Sequence, residues 1–324
     1  MMVEMVHNAL GLPISVPVIV MRGSRPGPVL GLTSALHGNE LNGISVVHRL
    51  FSQLDPHKLR GTVVAVVVVN VPGYLAHRRH YLEGIDLNHI MPGDPHGNAP
   101  QIYAHRLVER FLDKFDFLVD LHTASVGRVN SLYVRSDMTA AIPAAMAYRQ
   151  RPEIIVHNPP ADRTLRGTAM EHDIPAITVE IGNPQQFQPK YIKSTLSGLR
   201  GVLAEAGLLS SRSAAPSGPE PTICSRSYWM YTDHGGLLEV LPALGALVKA
   251  GEPIARLTNA FGRVTRNYVA PEDAIIVGKS VDPVAETGGR IAHLGIVATE
   301  GSFIKRSTLS AVPAITAPVL GQDE

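Results

Sequence analysis

The stretch Ala35-Leu36-His37-Gly38-Asn39-Glu40-Leu41-Asn42-Gly43 lies between the apolar run Val29-Leu30-Gly31-Leu32 and a helix-like segment that starts at Ile44. A buried strand that opens into a polar loop and then a helix is where open α/β sheets place their ligand sites. His37 and Glu40 are three residues apart at this turn, so an imidazole and a carboxylate can reach one divalent cation from the same side. The stretch therefore predicts an α/β sheet with a metal site at a strand end, and zinc is the natural candidate.

A second strand end supplies another candidate ligand. A catalytic zinc needs a further protein ligand beside its water, and the mostly apolar run Phe117-Leu118-Val119-Asp120-Leu121 leads directly into His122. Taken alone, the first pair has a simpler interpretation, in which His37 starts a helix, Asn39 caps it and Glu40 lies in its first turn. The strand-end His122 favours the metal site, with His37, Glu40 and His122 as the predicted ligands.

The composition is that of an ordinary globular protein. Hydrophobic residues make up 45% and charged residues 18% of a 324-residue chain, which is long enough for two domains. Lys plus Arg is 29 and Asp plus Glu is 28, so the chain lacks the basic field that nucleic acids or anionic membranes require. The single cysteine, Cys224, excludes an internal disulfide and a thiolate-rich zinc site. The N-terminus has no signal-peptide pattern, so we expect a cytoplasmic protein without nucleic-acid or membrane partners.

The order of predicted elements indicates an α/β catalytic domain over residues 1–210. There, β-branched runs alternate with helical stretches, which predicts a mainly parallel or mixed sheet flanked by helices on both faces. The predicted strands are 14–21, 28–35, 62–70, 117–121, 131–134 and 176–181. The predicted helices are 43–54, 101–114, 140–150, 164–172 and 191–206.

The rest of the chain has a different texture. Residues 211–221 are small, polar and rich in proline, as in a linker. Residues 222–306 are predicted to form a small β-rich domain resembling a barrel or sandwich, because two halves carry glycines at corresponding turns. Residues 307–324 lack periodicity and are predicted to be a flexible tail.

Several further motifs accompany the candidate ligands. They are Asn70-Val71-Pro72-Gly73-Tyr74, an arginine after it, Asp86-Leu87-Asn88 followed by Pro92-Gly93, and Thr178-Val179-Glu180-Ile181-Gly182. Together with His37-Gly38-Asn39-Glu40 and Asp120-Leu121-His122-Thr123, they resemble the succinylglutamate desuccinylase/aspartoacylase family in order and spacing, over roughly residues 10–205. That family belongs to the zinc carboxypeptidase-like enzymes. The resemblance implies their fold for the first domain and the family's common β-domain for the second.

The resemblance also implies roles for individual residues. It implies one Zn²⁺ per chain on the three predicted ligands, with Glu180 as general base and Arg79 as the residue that stabilises the oxyanion. A carboxylate beside an activated water can take its proton and return it to the leaving amine. A guanidinium can stabilise negative charge that develops on the carbonyl oxygen. Arg78 is adjacent and is the alternative to Arg79.

The predicted substrate-binding residues depart from the family at one position. Asn88 matches the first member of an Asn-Arg pair that binds a substrate carboxylate, but the second position is His89. A neutral histidine offers one donor, whereas arginine offers a planar bidentate pair of donors. Either another cation binds the carboxylate, with Arg163 and Arg166 as the candidates, or the substrate carries no carboxylate at that place.

The function implied by the resemblance is zinc-dependent hydrolysis of the amide bond in a small N-acylated amino acid or amine. Two alternatives stay open: a metallocarboxypeptidase that acts on peptides, against which His89 argues, and a non-catalytic metal-binding or ligand-binding protein. The segment Asn259-Ala260-Phe261-Gly262-Arg263 has no lysine, which argues against a lipoyl or biotinyl carrier. The sequence leaves open the acyl group, the amine and whether the chain forms a homo-oligomer.

Overall fold

The computed structural model describes residues 1–160, 163–210 and 219–304. The strands are β1 (Met2–His7), β2 (Pro13–Arg22), β3 (Arg25–Ser34), β4 (Arg60–Val66), β5 (Phe117–His122), β6 (Arg128–Asn130), β7 (Leu132–Ser136), β8 (Ile154–His157), β9 (Ala176–Ile181), β10 (Thr222–Tyr231), β11 (Gly236–Val240), β12 (Leu247–Val248), β13 (Pro253–Thr258), β14 (Val264–Val269), β15 (Ala274–Ser280), β16 (Val284–Ala285) and β17 (Arg290–Val297). The helices are α1 (Asn42–Gln53), α2 (Val71–Leu75), α3 (Ala99–Arg110), α4 (Ala141–Gln150), α5 (Leu165–Glu171) and α6 (Pro189–Glu205). The predicted tail and most of the predicted linker lie outside the described residues.

A 13-stranded mixed sheet forms the centre of the protein. Its strand order is β1-β2-β4-β3-β5-β9-β7-β8-β10-β17-β15-β12, and β6 pairs with β15. Strands β4, β3, β5 and β9 are mutually parallel, with β2 and β7 as antiparallel neighbours on either side. The parallel centre places the carboxyl ends of β3, β5 and β9 at one edge, which is where such sheets hold their ligand sites.

Helices cover both faces of this sheet, as the sequence predicts. Buried residues of α1, α4 and α6 pack on one face with Val119, while those of α3 and α5 pack on the other with Leu118. Successive side chains of a strand point to opposite faces, and β5 is buried at every residue, which explains its apolar run. The predicted fold class is confirmed. None of the described helices is long and apolar enough to cross a membrane.

Two differences from the predicted elements have local causes. The predicted strand 62–70 ends at Val66, because the following residues turn across the neighbouring strand ends, where the Asn70 amide donates to the Ala35 carbonyl at 2.9 Å. The Asn70 side chain then caps α2 by accepting from the Gly73 amide. Strands β1 and β8 were not predicted, and their buried residues are consecutive, so neither strand shows a period of two.

The C-terminal strands form a sandwich that is continuous with the main sheet. The sheet β14-β13-β11-β16 shares a core with β15 and β17, in which Leu238 and Leu257 pack with Ile276 and Leu294. Strand β10 pairs in parallel with β8, and β15 pairs with β6. The sandwich-like architecture was predicted, whereas its backbone pairing with the first region was not. The domain boundaries stay a prediction, since one sheet runs across them.

Cys224 marks the place where the two regions join. Its backbone pairs with Val156 of β8 on one side and with Val297 of β17 on the other, and its side chain is fully buried. Burial raises the pKa of the Cys224 thiol to about 12. A protonated thiol in a closed sheet is a poor nucleophile, because the thiolate is the reactive form.

We therefore expect the Cys224 thiol of the native protein to resist Ellman's reagent at neutral pH, and to react with one equivalent per chain after unfolding in guanidinium chloride. The measurement is the absorbance of the released thiolate before and after denaturant is added. Cys224 is the single cysteine, so the unfolded sample is an internal control for stoichiometry. Rapid release of one equivalent from the native protein would mean that β8 and β10 separate in solution.

Candidate metal and catalytic site

His37 and Glu40 lie in the turn between β3 and α1. The Glu40 amide donates to the His37 carbonyl at 3.1 Å, so the two side chains leave the same side of a tight turn. Helix α1 starts only at Asn42, its N-cap Leu41 makes no side-chain capping bond, and its first turn contains no acidic residue. The alternative in which Asn39 caps the helix and Glu40 lies in its first turn is therefore wrong.

The third predicted ligand reaches the same place from the neighbouring strand. Strand β5 runs parallel to β3, with Leu121 paired to Ser34, and it ends at His122. On its other side β5 is parallel to β9, and His122 is the register partner of Glu180. Residues from three distant segments of the chain, His37 with Glu40, His122 and Glu180, thus meet at one edge because three strands end together.

The three predicted ligands form a close and buried group. The Nδ1 atoms of His37 and His122 are 3.1 Å apart. Glu40 bridges them, with Oε1 at 2.8 Å from His37 Nδ1 and Oε2 at 3.0 Å from His122 Nδ1. One ligand atom from each residue lies within 4.8 Å of the others, and all three residues are at most 3% exposed.

A carboxylate holds each imidazole from behind. His37 Nε2 lies 3.1 Å from Asp86 Oδ1, and His122 Nε2 lies 2.7 Å from Asp120 Oδ2. Asp120 is itself fixed by the Thr33 hydroxyl, which donates to its Oδ1 at 2.6 Å. With a cation bound among the Nδ1 atoms and Glu40, each neutral ring would carry its proton on Nε2, where the Asp86 and Asp120 carboxylates accept it. In metal sites, a carboxylate that binds the second ring nitrogen orients the histidine ligand.

The electrostatic field of the group favours a positive charge. Burial would lower the pKa of His122, but Asp120 and Glu40 raise it well above its ordinary value. Burial would raise the pKa of Glu40, but the adjoining His37 and His122 hold it well below its ordinary value. A metal cation bound between the two Nδ1 atoms and the Glu40 carboxylate would supply this positive charge in place of the ring protons. The donor set therefore fits a divalent cation such as zinc.

Arg79 binds this group from the side. Its guanidinium donates twice to Asp86 Oδ2, at 2.9 and 3.0 Å, and once each to Glu40 Oε1 at 3.1 Å and Ser125 Oγ at 2.6 Å. The Arg79 carbonyl accepts from the Gly38 amide, which ties its loop to the ligand turn. A Cβ atom on Gly38 would lie 2.1 Å from the backbone of Gly73, so the glycines permit this approach.

Glu180 lies at the end of β9 beside the ligands. Its Oε2 accepts from Asn130 Nδ2 at 3.2 Å, and its Oε1 lies 3.8 Å from Arg135 Nε. Burial raises the pKa of Glu180, with His122 and Arg135 acting in the opposite direction. A carboxylate with a raised pKa is suited to proton transfer near neutral pH.

These residues open into a polar cavity of about 370 Å³. Its wall contains four arginines, Arg79, Arg128, Arg135 and Arg166, against the two carboxylates Glu40 and Glu180. Trp229 of β10 also lines the cavity and belongs to the C-terminal region. The excess of guanidinium groups over carboxylates favours an anionic ligand.

The predicted substrate-binding residues separate into two groups. Asn88, His89 and Arg166 line the cavity. Asn88 Oδ1 accepts from the Leu165 amide at 2.8 Å, and His89 is exposed at the rim. Arg166 is 1% exposed and donates to the carbonyls of Asn158 and Pro159, at 3.2 and 3.1 Å.

Arg78 and Arg163 lie elsewhere. Both side chains are exposed, and neither is among the described residues that line the cavity. Of the two adjacent arginines in the first loop, it is Arg79 that contacts the candidate metal ligands.

The sequence prediction missed the residues that support the site. Asp120 had a signal, since it is two positions before His122 and therefore on the same face of the strand. Asp86 lies in a quoted motif, but nothing local indicates its contact with His37. Arg128 and Trp229 had no sequence signal, because strands distant in the chain bring them to the cavity.

Comparisons with known proteins agree with this geometry. The catalytic-domain profile of the succinylglutamate desuccinylase/aspartoacylase family matches residues 26–206. The N-alpha-acetyl-L-2,4-diaminobutyric acid deacetylase of Halomonas elongata is 28% identical over 318 residues, covering 90% of this chain and 91% of that protein.

Two solved structures share the fold. The product-bound ectoine utilization protein EutE (DoeB) from Ruegeria pomeroyi has a TM-score of 0.82 at 21% identity, covering 91% of this chain and 94% of that one. A succinylglutamate desuccinylase/aspartoacylase from Rhodobacter sphaeroides has a TM-score of 0.80 at 22% identity, covering 92% and 94%. The profile match spans more than half of the chain, and the ligand turn, the strand-end histidine and Glu180 all fall within it. The chain belongs to the succinylglutamate desuccinylase/aspartoacylase family.

Proposed function

We propose that this chain is a zinc-dependent deacylase that hydrolyses the amide bond of a small N-acylated amino acid. The observation that carries the proposal is the buried convergence of His37, Glu40 and His122, with an aspartate behind each imidazole. Membership of the family and the similarity to a deacetylase support amide hydrolysis as the reaction.

In this proposal the three ligands hold one zinc ion, and Glu180 moves the proton. Zinc at such a site makes a water more acidic and polarises a carbonyl. The Glu180 carboxylate accepts a proton from the attacking water and delivers it to the leaving nitrogen. Asn130 holds one Glu180 oxygen by a hydrogen bond, and burial raises the pKa of this carboxyl group toward the range in which it can both accept and release a proton.

Arg79 is the proposed donor to the developing oxyanion. Among the described residues, its guanidinium makes four hydrogen bonds, to Asp86, Glu40 and Ser125, so one of its five N–H groups remains for a ligand. Those bonds also fix the guanidinium before substrate arrives, so it does not need to reorganise during the reaction. One preorganised donor of this kind lowers the activation free energy by about 3 kcal/mol.

The metal assignment predicts that the purified wild-type chain binds about one zinc and loses activity to a chelator, with recovery when zinc is added. The double substitution His37→Ala/His122→Ala should abolish zinc binding, because two of three ligands are removed. Elemental analysis of the dialysed proteins measures this. The matched control is His57→Ala/His96→Ala, in which both histidines are exposed. Full zinc occupancy in the first double variant would contradict the assignment.

The base assignment predicts that Glu180→Gln retains zinc and folding but loses about 10²- to 10⁴-fold in kcat, since the amide cannot take the water's proton. The measurement is amine release at saturating substrate together with zinc content. Glu171→Gln, which changes an exposed carboxylate, serves as control. A Glu180→Gln enzyme with near-normal kcat would show that another group is the base.

The substrate class distinguishes the proposal from its two alternatives. We expect amine release from N-acetyl, N-succinyl or N-formyl amino acids, and we include Nα-acetyl-L-2,4-diaminobutyrate because of the Halomonas relative. A metallocarboxypeptidase would instead cleave unacylated peptides with a free C-terminus. A non-catalytic binding protein would contain zinc and hydrolyse none of these compounds. Comparing rates across this panel and a set of dipeptides decides among the three.

A further inference from the structure

The cavity arginines differ in the hydrogen bonds and ion pairs that their guanidinium groups make within the protein. Arg79 is bound to two carboxylates of the metal group. Arg135 donates to Tyr133 Oη at 2.9 Å and Asn158 Oδ1 at 3.3 Å, and it lies near Glu180. Arg166 donates to two backbone carbonyls. Arg135 and Arg166 are therefore held in the wall of the site, and Arg79 is held against the candidate metal ligands.

Arg128 is different. It is the first residue of β6, where its backbone pairs with Ser280 of β15, and its side chain lines the cavity. Across the described parts of the chain, its guanidinium has no hydrogen bond or ion pair to any acceptor. Burial and the like charges of Arg290 and Arg79 lower its pKa to about 10, against the opposing effect of the Glu40 and Glu180 carboxylates. At neutral pH it is a half-buried cation that forms no ion pair within the described residues.

Trp229 holds this cation in place. The guanidinium carbon of Arg128 lies 5.7 Å from the centre of the Trp229 ring, and that of the exposed Arg290 lies 5.5 Å from it, both within the range of a cation–π contact. His293 stacks on the same indole, with ring centres 5.2 Å apart and planes 11° apart, and its Nε2 contacts Ser227 Oγ at 2.8 Å. Burial and neighbouring arginines keep the pKa of His293 well below its ordinary value, so this support adds no positive charge.

We propose that Arg128, positioned on Trp229, binds the carboxylate of the amino-acid part of the substrate. Arg128 then has the carboxylate-binding role for which the sequence offers no arginine at position 89. The substrates are accordingly N-acyl amino acids with a free carboxylate. A carboxylate would supply two acceptor oxygens to the Arg128 guanidinium in a bidentate pair. Its negative charge would also offset the repulsion of Arg128 by Arg79 and Arg290. The proposal rests on the proposed function for what is hydrolysed, but carboxylate binding can be measured separately.

Two compounds test the proposal without hydrolysis: L-2,4-diaminobutyrate, a product-like acid, and its carboxamide. Trp229 is the single tryptophan of the chain, so its fluorescence reports binding beside Arg128. We expect the full wild-type chain to bind the acid at least about tenfold more tightly than the carboxamide, because a charge-assisted pair is lost in the amide. Arg128→Gln should reduce that ratio to about one while leaving the affinity for the carboxamide unchanged.

Three further variants separate a binding role from a structural one. Arg128→Lys keeps the charge but loses the bidentate pair of donors, so it should retain part of the preference for the acid. Trp229→Leu, measured by calorimetry, should weaken binding of the acid but not of the carboxamide. Arg263→Gln changes an exposed arginine in the β13–β14 turn and should behave as wild type. Thermal melting checks folding, and if Arg128→Gln does not fold, the Lys variant decides.

The outcomes are distinct. An undiminished preference for the acid in Arg128→Gln, or wild-type protein that binds the two compounds equally or binds neither, would overturn the role of Arg128. Absence of hydrolysis across the acyl panel would instead overturn the proposed function, and it would leave the binding ratio as an independent result. A loss of acid preference confined to the Arg128 and Trp229 variants supports the proposal.

Discussion

The meeting of two imidazole nitrogens and a carboxylate in a buried space is the constraint on which the rest of this structure depends. His37, Glu40 and His122 present electron pairs to one another at hydrogen-bond distances. Asp86 and Asp120 hold the far nitrogens, so in neutral rings the lone pairs point inward. Such a group is stable only in a rigid frame and with positive charge at its centre. The parallel strands supply the frame, and the donor set fits a cation.

The frame is built from backbone as much as from side chains. Parallel pairing of β3, β5 and β9 brings three strand ends together, so backbone hydrogen bonds place the candidate ligands and Glu180 at one edge. The close approach of Gly38 to Gly73 then brings in the loop that carries Arg79. Arg79 contacts both Glu40 and Asp86, so it links a metal-ligand candidate to the residue that orients another.

The C-terminal region contributes strands to the main sheet and a side chain to the cavity wall. It extends the main sheet through β10 and pairs with β6, the short strand that begins with Arg128. Through Trp229 it also forms part of the cavity wall. Because β5 and β10 belong to one continuous sheet, that sheet fixes the position of Trp229 relative to the candidate metal ligands. The charge and shape of the cavity are therefore set jointly by both regions.

Local pattern was sufficient to predict the alternating elements, the sandwich and the residues that form the ligand cluster. Buried parallel strands are continuous apolar runs, and a polar residue directly after such a run marks a strand end. The sequence did not determine which charged residues share the cavity. Arg128 and Trp229 reach it through strand pairing between distant segments, and loop packing brings Asp86 to His37; such contacts leave no local periodicity. For the same reason, only the tertiary structure separated exposed Arg163 and wall-bound Arg166 from Arg128, which faces the cavity and makes no hydrogen bond or ion pair to an acceptor among the described residues.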